Sequence, residues 1–257
     1  NEAFDVWGLR LRRLLGRSIP VISTIEGIPG NSERESRLSI AAGHRVYCFL
    51  PRSGSRSTHS YDDVRGLSDL SIAITPFMAS MGRELYPVKQ VHMPIGVDTR
   101  VFHARNRDYP SVPTILGVGT LYQRKRPEVF LELARRIPGA RFVWLGDGPM
   151  YNSLQTQAAN LPNLDFPGEM NPSQLAEKLR EATAFVLPSR SEGLPKVTQE
   201  AAACGLPVVV FGNYETPSVV DGLNGMVVWE DEELFSAVEK LVESPDLVLK
   251  MGSSGAK

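Results

Sequence analysis

The stretch SRSEGLPKVTQEAAACGLPVVV, residues 189–210, decides the fold of this chain. An apolar run, AFVLPS (residues 184–189), precedes it, and its helix-forming part, VTQEAAAC, leads to a second apolar run, PVVVF (residues 207–211). This order predicts a strand, a loop, a helix and a strand. Glu192 lies on the predicted loop and Glu200 lies inside the predicted helix. Because open α/β sheets hold ligands beyond the carboxyl ends of their strands, the segment is predicted to be a ligand site.

The alternation of strand and helix patterns extends over the second half of the chain. Its candidate strands are TILGVG, ARFVWLG, LDFPG, AFVLPS, PVVVF and MVV. One helix is predicted to begin at Asn171, because the sequence N-P-S-Q offers a cap, a proline in the first turn and Gln174 for a capping box. Strands that alternate with helices in this way imply a doubly wound parallel sheet. We therefore predict an α/β fold in which residues 114–257 form a complete Rossmann-like domain.

The first half of the chain has fewer elements. Its candidate strands are PVIST, RVYCFL, SIAIT and QVHMP. These are too few for a matching domain, so residues 1–103 are expected to form an incomplete one. A polar, proline-bearing segment without periodicity follows, and we expect residues 104–113 to be an interdomain linker.

Composition excludes several classes of protein. The chain has 257 residues, of which 42% are hydrophobic and 22% charged, as in ordinary globular proteins. No apolar run reaches the roughly 18 residues of a membrane span. A formal net charge of −1 without a clustered basic face does not indicate nucleic acid as a partner. The two cysteines, Cys48 and Cys204, fit no metal spacing and indicate a reducing cytoplasm. The basic, loosely amphipathic amino terminus is expected to pack against the protein in the ordinary way, and a peripheral contact with the cytoplasmic face of a membrane is the alternative.

Two glutamates with seven residues between them are weak evidence by themselves in a chain with 29 acidic residues, and Glu200 also fits an exposed i,i+4 partner of Lys196. The whole segment SEGLPKVTQEAAACGLPVVV, however, resembles the donor-site signature of retaining GT-B glycosyltransferases of the group 1 type, the relatives of glycogen synthase and sucrose synthase. The resemblance implies two Rossmann-like domains, of which the amino-terminal, acceptor-binding one is incomplete here. It also implies a fragment that stops before the family's carboxyl-terminal helix.

The resemblance assigns a phosphate-binding loop to VGTLYQRKRPEVF. After Gly119 the family has an arginine and, five residues later, a lysine, and both touch the donor's diphosphate. Lys125 matches the lysine, whereas Thr120 stands where the arginine is expected. Either Arg124 or Arg126 supplies the missing charge, or the contact with phosphate is weaker. Without the resemblance, a solvated basic turn would be the favoured interpretation.

Two further turns match the family. The glycines of WLGDGPM are predicted to serve the turn and close packing rather than to contact a ligand. Gly168 and Glu169 in FPGEM lie where the family's backbone meets the nucleobase. The free N–H groups between Gly193 and Val197, at a helix amino terminus, are suited to bind an anion. The predicted donor-binding residues are Gly119, Thr120, Arg124, Lys125, Gly168, Glu169, Gly193, Leu194, Pro195, Lys196 and Glu200.

The two glutamates receive different roles. Glu200 is suited to accept hydrogen bonds from ribose hydroxyls. Glu192 is the predicted catalytic residue, which faces the sugar and stabilises an oxocarbenium-like transition state. The chain contains no Asp-x-Asp motif and its four histidines are scattered, so no metal or other cofactor is expected and the nucleoside diphosphate sugar is a co-substrate. The resemblance implies retention of anomeric configuration through a front-face reaction.

Other positions leave alternatives open. STIEGIPGN corresponds to a family segment that often reads T-x-H, and Glu26 takes the histidine's place or marks a different acceptor geometry. Asp98 and Phe102 are expected to fix the hinge rather than to do chemistry. The base, the sugar and the acceptor (a glycan, a lipid-linked sugar or a small molecule) are not determined. A nucleotide-sugar-binding protein without turnover and a GT-B epimerase are the alternatives to a transferase.

Overall fold

The computed structural model describes residues 22–25, 70–76, 79–80, 89–105 and 109–256. The chain divides into two compact units, one of residues 1–95 with Glu192–Leu194 and the other of residues 96–191 with residues 195–257. The predicted strand RVYCFL, the loosely amphipathic amino terminus and Glu26 lie outside the described residues. Among the described residues, no helix is both long enough and apolar enough to cross a bilayer.

The described part of the first unit contains a three-stranded parallel sheet in the order β1-β2-β3. Its strands are β1 (Ile22–Ile25), β2 (Leu70–Ala73) and β3 (Lys89–His92). They confirm the predicted strands PVIST, SIAIT and QVHMP to within two residues at each end. A small core of Ala73, Ile74 and Ala79 forms beside β2, and Ile95 and Leu194 pack against it.

The second unit is built on six parallel strands in the order β6-β5-β4-β7-β8-β9. They are β4 (Thr114–Val118), β5 (Arg141–Leu145), β6 (Leu164–Gly168), β7 (Ala184–Leu187), β8 (Val208–Phe211) and β9 (Gly225–Val228). All six predicted strands are confirmed. Every residue of β7 and β8 is buried, as expected for a parallel sheet that is covered on both faces. The strand order reverses between β4 and β7, which is the topological switch point where such sheets bind ligands.

Helices connect the consecutive strands from β4 to β8, two more helices follow β9, and a short 3₁₀ turn (Gln123–Lys125) precedes the first helix. The helices are α1 (Pro127–Arg136), α2 (Tyr151–Ala158), α3 (Pro172–Glu181), α4 (Lys196–Ala203), α5 (Asp231–Glu243) and α6 (Pro245–Gly255). The predicted capping box is present at α3: Gln174 N donates to the Asn171 side chain at 3.0 Å, and Asn171 N donates to Gln174 Oε1 at 3.1 Å. Gly205, with φ of +75°, follows α4 and ends it as predicted.

An aromatic cluster fixes α1 onto the sheet. The Phe130 ring stands edge-on to Phe142 and Trp144, with ring centroids 5.5 and 5.3 Å apart, and all three side chains are fully buried. Each such ring removes on the order of 200 Å² from water, and the burial of a phenylalanine side chain is worth about 1.5 to 3 kcal/mol. Gly117 makes room for the indole, because a Cβ at this position would lie 2.5 Å from Trp144 Cε3. The packing therefore holds the end of β4 in a fixed position.

The segment before β4 belongs to the second unit, which begins at Gly96. Phe102 is only 5% exposed, and the Tyr109 hydroxyl donates to the carbonyl of Val242 at 2.6 Å. This division differs from the prediction that the first domain extends to residue 103 and that residues 104–113 form the linker. The segment is polar and lacks periodicity, so its sequence carries no sign of these individual contacts.

Candidate functional site

Parallel strands bring several of the predicted site residues to one edge of the second unit's sheet. Gly119 directly follows β4, Gly146 follows β5, Gly168 ends β6 and Pro188 follows β7. The carboxyl ends of these strands share an edge, and the loops after β4 and β7 leave it on the two sides of the switch point. Loops at such a point are suited to surround a ligand.

The backbone N–H and carbonyl of Gly119 both form hydrogen bonds within the protein, so this glycine offers space at the edge and not free backbone groups. Its N–H donates to Leu145 O at 3.0 Å, and its carbonyl accepts from Trp144 Nε1 at 2.8 Å. Its φ is +146°, and a Cβ would lie 3.3 Å from Lys125 Cε. The side chain of Lys125 therefore lies across the glycine that follows β4.

Arg124 connects the loops after β4 and β7. Its Nε donates to the Tyr122 hydroxyl at 2.9 Å, and its Nη1 donates to the carbonyl of Ser191. The Ser189 hydroxyl lies 3.1 Å from the carbonyl oxygen of Arg124 and so adds a second tie between the loops. Thr120, in contrast, is exposed. The described hydrogen bonds of Arg124 therefore hold the loop after β4 to the loop after β7.

Arg126 belongs to a charged cluster that the sequence did not reveal. Its Nη2 lies 2.6 Å from Asp231 Oδ2, and Arg190 Nη2 lies 3.1 Å from Asp231 Oδ1. Both guanidinium groups lie over the buried ring of Phe211, at 5.4 and 5.1 Å from its centroid. The hydrogen bond from Arg126, with a smaller contribution from Arg190, lowers the pKa of Asp231. The charge of Arg126 is thus compensated within the protein. Because 105 residues separate Arg126 from Asp231, no local pattern could predict the pair.

Glu200 lies inside α4 and is only 8% exposed. Burial raises the pKa of its carboxyl group, and the charge of Lys196 partly offsets that effect. Lys196 Nζ is 3.8 Å from Glu200 Oε1, but the lysine side chain is 60% exposed. The i,i+4 pair therefore exists, whereas the interpretation of Glu200 as an exposed residue is wrong. A buried carboxylate with one distant cation is suited to accept hydrogen bonds from a ligand.

The amino terminus of α4 has no side-chain cap, and Pro195 stands before its first residue. The Thr198 hydroxyl donates to Pro195 O at 2.7 Å and lies 2.8 Å from Ser218 Oγ, and Thr198 is fully buried. These contacts hold the first turn of the helix in place. An uncapped helix start presents N–H groups and the positive end of the helix dipole, which attract an anion.

Glu192, Gly193 and Leu194 group with the first unit by their contacts, although the chain joins them to the second unit on both sides. Glu192 is 6% exposed. Buried glutamates are rare in proteins and are frequent at functional sites. Its position in the chain, four residues before α4 begins, is that of a side chain at the mouth of this helix.

The turns after β5 and β6 differ in the space around their glycines. Leu121 N donates to Asp147 O at 2.9 Å, and a Cβ on Gly148 would lie 2.6 Å from Leu121 O, so the packing predicted for WLGDGPM is observed. Gly168, with φ of +86°, has open space where a Cβ would stand, and its neighbour Glu169 is exposed. The turn after β6 can therefore contact a ligand closely.

A cavity of about 710 Å³ lies on another part of the second unit. Residues of β4, β5, β6, α2 and α3 line it, among them Val143, Asp165, Gln155 and Lys178. None of the predicted site residues is among its lining residues. The candidate site is thus an open edge of the sheet and not this cavity.

The similarity to a known protein family lies almost entirely within the second unit of the chain. The family model described as "Glycosyl transferases group 1" matches residues 112–244, which is the second unit's sheet with its helices up to α5. A GDP-mannose-dependent alpha-(1-6)-phosphatidylinositol monomannoside mannosyltransferase of Mycolicibacterium smegmatis is 30% identical over 190 residues, which are 64% of this chain and 50% of that protein. The sulfoquinovosyl transferase SQD2 of Arabidopsis thaliana is 30% identical over 135 residues, 49% of this chain and 26% of that protein. The chain thus spans half the length or less of these curated relatives.

Solved structures show the same fold. Sucrose-phosphate synthase from Thermosynechococcus elongatus superposes with a TM-score of 0.76 at 18% identity, over 97% of this chain and 64% of that one. Anabaena HepE in complex with UDP and glucose gives a TM-score of 0.75 at 15% identity, over 100% of this chain and 70% of that one. These likenesses confirm the predicted α/β fold of the GT-B type.

Proposed function

Because the chain belongs to the group 1 glycosyltransferases, we propose that it binds a nucleoside diphosphate sugar and transfers the sugar to an acceptor. The observation that carries this proposal is the position of Lys125 across Gly119, directly after β4 at the switch point of the sheet. A cation at this position suits the diphosphate of the donor. The buried Glu200 and the uncapped start of α4 belong to the same edge.

The diphosphate is the part of the donor on which charge develops. When the bond between the sugar and the outer phosphate breaks, negative charge grows on that phosphate, and positive groups fixed nearby stabilise the transition state. Lys125 supplies one full charge, and the amino terminus of α4 supplies N–H donors and a partial charge. In our proposal these groups do the work that a divalent metal does in other transferases, so the reaction is metal-independent.

The nucleoside is held by the other end of the site. Glu200 accepts hydrogen bonds from the ribose hydroxyls, and these bonds favour the charged form of a carboxyl group whose pKa burial has raised. The base lies against the open backbone at Gly168, beside Glu169. Uracil and guanine are both candidates, because HepE was solved with UDP and the mycolicibacterial relative is named for GDP-mannose.

Transfer takes place at the carbon that carries the phosphate. In the proposed reaction the C1–O bond to the leaving phosphate breaks, and the acceptor oxygen bonds to C1 on the same face, so that configuration is retained. The acceptor's proton goes to the departing phosphate oxygen. Glu192 stabilises the positive charge that develops on the sugar ring. The acceptor is a glycan, a lipid-linked sugar or a small molecule, and we place the reaction in the cytoplasm.

A second candidate, binding of the nucleotide sugar without turnover, is favoured by one observation. Thr120 is exposed where the family has an arginine, and Arg126, which could replace that charge, is paired with Asp231 at 2.6 Å. With fewer cations on the diphosphate, the donor pocket can bind while the leaving group is stabilised less. The two candidates make different predictions about transfer but the same prediction about binding.

Calorimetry on this chain tests the proposal. UDP, GDP and ADP are titrated together with their hexose conjugates, and the corresponding nucleoside monophosphates serve as controls. We expect one diphosphate to bind, and its monophosphate to bind less tightly because the outer phosphate is missing. The absence of binding by all three diphosphates would refute the donor site. Tight binding of a donor that is neither hydrolysed nor transferred in the presence of candidate acceptors would favour the second candidate.

A further inference from the structure

Arg126 has an unusual backbone conformation. Its φ is 52° and its ψ is 49°, and among the described residues it is the only residue other than glycine with a positive φ. This left-handed conformation is unfavourable for an L-residue with a side chain, and it is most often occupied by glycine. Such outliers persist where the surrounding structure holds them, often near functional sites.

The side chain of Arg126 holds this backbone in place from two directions. Its guanidinium group bonds to Asp231 at 2.6 Å, at the start of α5, and to the carbonyl of Pro188 at 3.3 Å, just after β7. It also lies over the ring of Phe211 at the end of β8. Only 20% of the arginine side chain is exposed. Three elements of the sheet's edge thus fix one residue that would otherwise favour another conformation.

The conformation matters for the residue before it. Arg126 ends the 3₁₀ turn that contains Lys125, where its N–H donates to Gln123 O at 3.0 Å. It also begins α1, where its carbonyl accepts from Val129 N at 3.0 Å. The left-handed residue changes the chain direction between turn and helix. A right-handed residue here would reorient the turn, and Lys125 would leave its position across Gly119.

We propose that Arg126 is a positioning residue: the clamp on its side chain stabilises a left-handed backbone that places Lys125 on the diphosphate. This inference rests on the proposed function, because Lys125 needs a diphosphate to meet. It gives Arg126 a role different from that of a substitute for the missing arginine at position 120. The guanidinium group acts through the backbone and does not touch the ligand.

Two substitutions separate backbone conformation from charge. Arg126→Ala removes the clamp and leaves a residue that disfavours the left-handed region, whereas Arg126→Gly removes the same clamp but adopts that region freely. Arg135→Ala is the control, since Arg135 lies on α1 in an exposed ion pair with Glu132 at 3.5 Å. The probe is whichever of UDP, GDP and ADP binds the parent chain most tightly, titrated by calorimetry. Melting curves and circular dichroism report whether each variant is folded.

We expect Arg126→Ala to raise the Kd by about tenfold, equivalent to about 1.4 kcal/mol. Arg126→Gly should stay within about threefold of the parent, and Arg135→Ala should bind as the parent does. In a Lys125→Ala background, Arg126→Ala should cause no further loss, because the residue that it positions is gone.

The inference is overturned if the alanine variant binds like the parent, or if glycine is no better than alanine. It is also overturned if Arg126→Ala weakens binding equally with and without Lys125, since a general loss of structure would act in both backgrounds. These results leave the proposed function intact. If the parent binds none of the three nucleotides, the proposed function itself is wrong and the inference falls with it.

Discussion

Glu200→Gln separates a ligand-binding glutamate from a structural one. The substitution preserves the size of the side chain and removes its charge. If Glu200 accepts hydrogen bonds from ribose hydroxyls, the loss of a charged acceptor should cost about 1.5 to 3 kcal/mol of binding free energy. The Kd for the nucleoside diphosphate should then rise by about tenfold to a hundredfold.

The stability of the free protein should hardly change. The ion pair with Lys196 spans 3.8 Å, and the lysine side chain is 60% exposed, so the pair is worth about 0.3 to 0.5 kcal/mol. Removing the buried charge relieves the desolvation that raises the pKa of Glu200, and this gain opposes the loss of the pair. At about 2 to 4 °C per kcal/mol, the Tm should stay within about 2 °C of the parent or rise.

The raised pKa of Glu200 also determines how the free energy of unfolding changes with pH. Burial favours the neutral acid, so between the ordinary glutamate pKa and the raised value the folded chain binds more protons than the unfolded chain. The contribution of Glu200 to the free energy of unfolding therefore decreases as pH rises through that window. Glutamine does not titrate, so the variant does not lose stability in this way. Its free energy of unfolding, relative to that of the parent, should therefore increase from acid to neutral pH.

Calorimetry and melting curves on the same preparations measure both effects. Glu132→Gln is the matched control, since Glu132 forms an i,i+4 pair with Arg136 at 3.1 Å and is 39% exposed. It should bind nucleotide as the parent does. If Glu200→Gln keeps the parent's affinity, or if it loses affinity only because it melts several degrees lower, the ribose assignment is refuted.

Three further predictions concern the phosphate loop, the metal and the core. Lys125→Ala should weaken nucleoside diphosphate binding by about 1.5 to 3 kcal/mol. Lys240→Ala, at an exposed position of α5, is the control and should leave binding unchanged. Equal affinities of the two variants in calorimetry would assign Lys125 to the solvated surface. EDTA should leave nucleotide binding and sugar transfer intact, and a loss of transfer that magnesium restores would disprove metal independence. Gly117→Ala should destabilise the chain by about 1 to 3 kcal/mol, since its Cβ would lie 2.5 Å from Trp144 Cε3. Gly139→Ala is the control, because a Cβ there enters open space. Denaturant-induced unfolding compares the two variants, and equal stabilities would show that the aromatic cluster adapts.

Local patterns were sufficient to predict the sheet of the second unit. Each buried strand, such as AFVL in β7 and VVVF in β8, is a short apolar run next to a loop or a helix cap. The capping box at Asn171 involves residues only three apart. Signals of this kind are contained in a few neighbouring residues, so that sequence and structure agree on them.

The contacts that shape the candidate site were not accessible in this way. Asp231 is one of three acidic residues in the first turn of α5, a common pattern, and its bond to Arg126 spans 105 residues. Burial of Glu200 depends on how α4 packs, which the i,i+4 spacing to Lys196 does not reveal. The left-handed conformation of Arg126 is unexpected from its residue type, because glycine usually occupies it. The candidate site residues could therefore be chosen from the sequence, but the residues that they contact in the fold could not.

The most direct test of the proposed transferase compares Glu192→Gln with a parent that transfers sugar, in one assay for nucleotide affinity and one for transfer. In the proposed reaction Glu192 acts where positive charge develops on the sugar, so its loss should lower kcat while the interactions with free nucleotide persist. We predict that the variant binds the nucleoside diphosphate with the parent's Kd and transfers almost no sugar. Transfer at the parent's rate by a folded Glu192→Gln variant, or a loss of nucleotide affinity equal to its loss of transfer, would contradict the account.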